Sequence, residues 1–282
     1  MSSIGERGPE TTGRLDDVLL FAYGFGFGGG WSFLDDGSTK PVQPLPLGVD
    51  GESLVTAREL IANWDMAKRS IRDLMSSALG STPMLEAFQT VFARFELESR
   101  NRTFESMNLF IISDGEPTDG TPADIGTWAV RIKKQGVFVT SCYLTDAPIE
   151  DARCLRSQPG DEWPEGALLM FDCASDGVYG APFLTFLREH HWQVEYGARS
   201  FAQINHPDIL SEFTSASISP FASATVRVTI QVPCVGACVF GRLRVCGSGG
   251  VSGERRVAGR GRVESCRVGG GGGPVVGASR GC

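Results

Sequence analysis

The chain has 282 residues, of which 41% are hydrophobic and 21% charged, the balance of an ordinary soluble domain with enough length to bury one core. Its net charge of −7 is unevenly divided: nine of the 26 basic and two of the 33 acidic residues follow Ala224, leaving 17 basic against 31 acidic residues before it. So acidic a body excludes nucleic acid as its main partner, because phosphate recognition needs a basic face, and no apolar run reaches the roughly 18 residues a membrane span requires.

Residues 1–14 are polar and rich in Gly, Ser and Thr, which predicts a disordered lead-in. The opening MSSIGERGPETTGRLDD has no apolar core of a secretory signal, so a cytoplasmic location and reduced, buried thiols at Cys142, Cys154 and Cys173 are the expectation. Asp17–Tyr23 (DVLLFAY) is a short apolar run bounded by acids and glycines and predicts a buried strand. The segment 24–48, crowded with Gly and Pro, predicts a long loop.

Across Ala57–Leu79, apolar residues from Leu60 to Ala78 recur at three- and four-residue spacing and predict one amphipathic helix ended by Gly80. A second helix follows, with Thr82 as a suitable cap, Pro83 in its first turn, and Leu85, Phe88, Val91, Phe92 and Phe95 along one side. Asn108–Ser113 predicts a second strand, Pro122–Gln135 a helix closed by Gly136, Val137–Leu144 a third strand and Ala167–Phe171 a shorter one. Residues 182–193 and 207–218 predict helices. Alternation of this kind indicates an α/β fold: an open, doubly wound, mostly parallel sheet with helices on both faces.

A domain over residues 15–224 is therefore expected, followed by a tail, 225–282, of different character. The tail holds 15 Gly, one aromatic residue, no Asp and no Lys. Val226–Val232 is its best strand candidate; the remainder lacks the apolar surface to offset ordering entropy. The same Gly, Arg, Val and Cys bias is what a misread frame or retained intron would produce.

The most informative segment is Leu109–Gly120, LFIISDGEPTDG. A buried strand carries Asp114 to its C-terminal end, where ligands collect in open α/β sheets. A carboxylate there, beside hydroxyls from neighbouring loops, suits a hard divalent cation. Gly80-Ser81-Thr82-Pro83-Met84 supplies the hydroxyls. This Ser-Thr-Pro-Met string before a helix, followed by an apolar strand ending in Asp-Gly-Glu-Pro-Thr-Asp-Gly, resembles the second and third parts of the metal-ion-dependent adhesion site of von Willebrand factor type A domains. The resemblance implies a protein-binding module of Rossmann-like topology, not an enzyme, with Thr82 and Asp114 helping to hold Mg²⁺ and an acidic residue of a protein partner completing the coordination. It covers about Asp17 to Leu144. The stretch from Ser141 to Phe221 is similar to extensions of A-type domains joined to signalling modules, which implies an adaptor role.

The family's first motif, Asp-x-Ser-x-Ser at the end of a central first strand, is not found before Asp17, so the resemblance implies a domain lacking that strand, with an empty slot beside DVLLFAY and an impaired metal site. Asp36-Gly37-Ser38-Thr39-Lys40 is the nearest string, with Lys in place of the second Ser. Two other readings stand beside this one: a metal-dependent hydrolase or phosphoryl-transfer enzyme using Asp114, Glu116 and Asp119, and a fragment without independent function. Gly24-x-Gly26-x-x-Gly29 matches a dinucleotide fingerprint, but the Pro-rich residues after it predict no helix to meet a pyrophosphate. Cys234, Cys238 and Cys246 lack a fourth zinc ligand at standard spacing. His206 precedes a helix and reads as structural.

Overall fold

A computed structural model describes residues 15–27, 40–76, 78, 81–177, 181–218 and 236–243. The expectations for the lead-in, for residues 36–39, for Gly80 and for Val226–Val232 lie outside the described residues. The first strand, β1, spans Val18–Phe25. Two short strands, β2 (Val42–Pro44) and β3 (Leu54–Thr56), pair antiparallel with it. The expected loop 24–48 thus contains a strand: the backbone of Val42–Pro44 satisfies the open edge of Tyr23–Phe25 despite its Pro, which is tolerated at a sheet edge.

The expected helix 57–79 is two helices, α1 (Ala57–Ala62) and α2 (Trp64–Met75). Thr56 starts α1 with a reciprocal capping box to Glu59, and the Asn63 side chain then donates to the Glu59 carbonyl, 2.9 Å away. That bond satisfies a helix end from within and allows the chain to bend without losing the apolar stripe. Helix α3 spans Met84–Asn101, strand β4 Phe104–Ser113, helix α4 Pro122–Lys134 and strand β5 Val137–Leu144. Helix α4 begins with Thr121 and Asp124 in a second capping box and ends before Gly136, whose φ of 83° is the left-handed stop foreseen for it.

Ala167–Phe171 is not a strand. It lies in helix α5, Glu165–Cys173, in which Gly166, Ala167, Leu169, Met170, Phe171 and Cys173 are all buried. A short run that is apolar on every side carries no periodicity, so burial alone does not tell helix from strand. What decides it is the helix's C-terminal end. Lys133 Nζ donates to the carbonyls of Asp172 and Ala174 at 3.2 and 3.1 Å, and Arg199 Nη1 to that of Phe171 at 3.1 Å, so two distant cations cap carbonyls that the helix leaves unpaired. Burial holds the Lys133 ammonium below its ordinary pKa.

Strand β6 (Cys154–Leu155) lies between β5 and α5, and after α5 come α6 (Ala181–Glu189), β7 (Gln193–Val194), β8 (Phe201–Ile204) and α7 (Pro207–Ile218). Helix α7 matches its expected bounds, whereas 182–193 divides between α6 and β7. The turn between them contains His191 at φ 62°. Strand β9, Gly236–Leu243, belongs to the tail.

The main sheet has the order β2-β1-β9-β4-β5-β8. Strands β4, β5 and β8 pair in parallel, and β1 and β4 are each antiparallel to β9, so β1, β4, β5 and β8 all run in one direction. Alternate side chains point to opposite faces. On one face Phe21, Tyr23, Leu109, Ile111 and Val139 pack beneath α3, α4 and α5. On the other, Leu20 and Ala22 meet α1 and α2, while Ile112 and Cys142 meet α6 and α7. The molecule is thus an α/β fold with a parallel sheet flanked by helices. Strand β8 and helices α5 to α7 make the stretch after Leu144 part of that sheet and its covering layers. No helix among the described residues is long and apolar enough to cross a membrane.

Cys142, Cys154 and Cys173 are free thiols, the first and last fully buried. Burial pushes the Cys173 thiol up to about 12 and the Cys142 thiol higher still. Neither therefore offers a thiolate near neutrality. In native-state maleimide labelling at pH 8, read by peptide mass spectrometry, Cys142 and Cys173 will remain unmodified and will react only after unfolding in urea.

Candidate functional site

The C-terminal ends of β1, β4 and β5 open onto one rim of the sheet. Two loops meet there. One, residues 81–83, leads into α3; the other, 114–120, follows β4. Gly26, at φ 93°, brings the end of β1 so close to the first loop that a Cβ there would lie 2.8 Å from the Ser81 carbonyl oxygen.

The loops are stapled by reciprocal bonds between residues 82 and 118. The Thr82 amide donates to Thr118 Oγ1 at 3.1 Å, and the Thr118 amide donates to the Thr82 carbonyl at 2.9 Å. Asp119 adds a third clamp. Its Oδ1 accepts from the Leu85 amide at 2.9 Å and its Oδ2 from the Glu86 amide at 2.8 Å. These are free donors of the first turn of α3, so a carboxylate more than 30 positions along the chain replaces a local cap and also meets the positive end of the helix dipole. Thr82 is not that cap: the helix begins at Met84, Pro83 is the N-cap residue, and it makes no side-chain cap bond.

Thr82 is instead buried, 4% exposed, and its hydroxyl donates to Asp114 Oδ1 at 3.4 Å. Ser113 Oγ donates to the same oxygen at 3.3 Å, and the Glu116 amide at 3.4 Å. The two residues expected to converge do so, with the Asp114 carboxylate at the surface. The turn that presents it depends on Gly115, at φ 72°. A Cβ on Gly115 would collide with the backbone of Gly166 in the first turn of α5, and one on Gly166 would lie 2.5 Å from the Asp114 carbonyl oxygen. Two glycines therefore let α5 close directly against the Asp114 turn. Beside it, burial raises the Tyr143 hydroxyl above its ordinary pKa, helped by the charges of Glu116 and Asp114.

What the central strand brings to this rim is equally informative. Gly236, the first residue of β9, stands opposite Gly24 of β1 and Ile112 of β4. Because β9 enters the sheet at this rim and runs away from it, the central position meets the rim with a glycine, which offers no side-chain ligand.

The donor set fits a hard cation in kind and falls short in number. Thr82 and Asp114 offer a hydroxyl and a carboxylate; Ser113 Oγ is fully buried and already accepts from the Gly115 amide at 3.1 Å. Among the described residues no three His, Cys, Asp or Glu side chains come together as a metal site. Glu116 is exposed in the same loop, while both oxygens of Asp119 accept from the first amides of α3. Sequence reasoning missed the roles of Asp119, Thr118, Gly166 and Tyr143. Their partners lie tens of residues away, and no local pattern announces them. His206 acts as expected: its Nδ1 accepts from the Asp208 amide at 3.2 Å at the start of α7.

No family model, curated protein or solved structure matches the chain.

Two substitutions test this construction. Gly115→Ala combines a left-handed backbone with a backbone collision and will destabilise by more than about 2 kcal/mol. Gly136→Ala shares the left-handed φ, but its Cβ would meet nothing within 4 Å, so it will cost only about 1 kcal/mol; urea denaturation of both measures the difference. Asp119→Ala, by uncapping α3, will cost about 1–2 kcal/mol, and the loss will be the same with and without divalent cation in thermal melts.

Proposed function

We propose that the chain is an A-type-domain-like protein-binding module whose rim at Thr82 and Asp114 engages a carboxylate of a partner protein through a weakly held divalent cation such as Mg²⁺. The observation that carries this reading is the meeting of Thr82 Oγ1 and Asp114 Oδ1, 3.4 Å apart, from two loops at the C-terminal edge of the sheet. A cation here would bridge this chain's single carboxylate to another from outside, and the acidic body gives the rim a bias toward cations. Thr82 would orient Asp114 and offer a neutral oxygen, Asp114 would supply the charge, and the partner's carboxylate would supply the ligand that the central strand does not. Mg²⁺ demands several well-placed oxygens and dehydrates reluctantly, so the chain alone holds it weakly, and the site is impaired relative to the pattern it resembles.

The enzymatic alternative requires Asp114, Glu116 and Asp119 around one metal. Asp119 is turned to α3 by two amide bonds, so the geometry adds nothing to that alternative.

A cation held with Kd near 1 mM and supplied at ~10 mM stabilises the native state by about 1.4 kcal/mol, roughly 3–6 °C in melting temperature for a domain of this size. Melts with Mg²⁺ or Mn²⁺ will show an upward shift of this order in the wild type and none in Asp114→Asn. An unshifted wild type at ~10 mM cation would remove the metal from the proposal.

A further inference from the structure

We infer that the gap between β1 and β4 is a strand-binding groove, and that residues 236–243 occupy it in cis as a ligand that a separate extended segment of the same sequence can replace. The walls of the groove are backbone edges. Seven residues of β1, Val18 to Gly24, and eight of β4 between Phe104 and Ile112 take their ladder partners from β9. Recognition by such edges is through main-chain N–H and C=O groups and asks mainly for an extended backbone. Leu20 and Phe21 of β1, with Leu109 and Phe110 of β4, are buried beside the groove on both faces of the sheet, so the occupant must be apolar at consecutive positions. Ala237-Cys238-Val239-Phe240 is such a run.

Three features mark β9 as a ligand rather than an integral strand. It runs against β1 and β4, which share one direction with β5 and β8. Its eight residues include Gly236 and Gly241, a composition that weakens a strand. And residues 219–235, 17 positions, separate it from α7 in the sequence, a length of chain that could reach up to ~55 Å if extended. The inference is tested without any divalent cation, so its failure and that of the cation reading are distinguishable.

The test uses the full chain. Hydrogen exchange on the unmodified protein, read by mass spectrometry, is expected to show amides 237–243 protected by roughly 100-fold or more over an unstructured segment, in a monomer by light scattering. Val239→Pro removes a ladder donor in mid-sheet, so it is expected to abolish that protection, lower the melting temperature and open the groove. A labelled eight-residue peptide of residues 236–243 should then bind the variant one to one, and at least about tenfold more tightly than it binds the wild type. Unprotected amides 237–243 in the wild type would overturn the inference without reference to any variant. So would a Val239→Pro chain that melts like the wild type, or a folded variant that takes up no peptide. A wild-type dimer that Val239→Pro dissociates would place the donor strand in a second copy and overturn the assignment in cis.

Discussion

The backbone groups along the inner edges of β1 and β4 have to be paired, and the rest of the architecture follows from how that is done. Both edges lie under helices, where water is excluded, and an orphaned amide or carbonyl there costs about as much as a lost hydrogen bond for every residue. Were β1 and β4 to pair directly with each other, the helices over the two halves would be pushed one strand closer together, about 4.8 Å. Strand β9 resolves this by completing two ladders at once, with Val239 opposite both Phe21 and Leu109. The spacing it imposes carries the α3 side of the core on one face and separates the α1–α2 and α6–α7 layers on the other.

That same constraint sets the chemistry of the rim. In a sheet whose other main strands deliver their C-terminal ends to one edge, a central strand of the opposite direction delivers its first residue there, which is Gly236. The rim consequently receives a carboxylate from β4 and a hydroxyl from the loop before α3, and nothing comparable from between β1 and β4. Asp119 does not make up the difference, because its two oxygens hold α3 in place; without them the first amides of α3 would lose their partners. A carboxylate that serves positioning cannot also serve as a ligand, so the loop divides its acids between architecture and chemistry.

How much of this was legible in the residues depends on the range over which each decision is made. Strand β5 and helices α4 and α7 were read nearly to the residue, because their signals are local: an apolar run, helical spacing, a Gly stop; β4 was read at its C-terminal end but begins four residues earlier than expected, at Phe104. The meeting of Thr82 with Asp114 was legible as well, through the pairing of a Ser-Thr-Pro turn with an Asp-Gly strand end. Ala167–Phe171 was misread because its helical state is decided at its end by Lys133 and Arg199, which lie 28 or more positions from the carbonyls they cap. Asn63 breaks the long helix through a bond to Glu59 that a periodicity argument does not see.

Residues 236–243 show the limit from the other side. Composition ranked Val226–Val232 above them as strand, and a Gly-rich, arginine-rich tail argued against order altogether. Both judgements weigh what a segment can bury by itself. A strand in mid-sheet draws its stability from two waiting edges, and those edges were visible only as an expected vacancy beside DVLLFAY. An apolar stretch of four residues, Ala237 to Phe240, is too little to nucleate structure alone, yet sufficient where the neighbours already present paired geometry and apolar faces. The vacancy and its filler were therefore each readable in part, but their match is a property of the folded sheet, and it is the match that makes the rim poor in ligands while making the sheet whole.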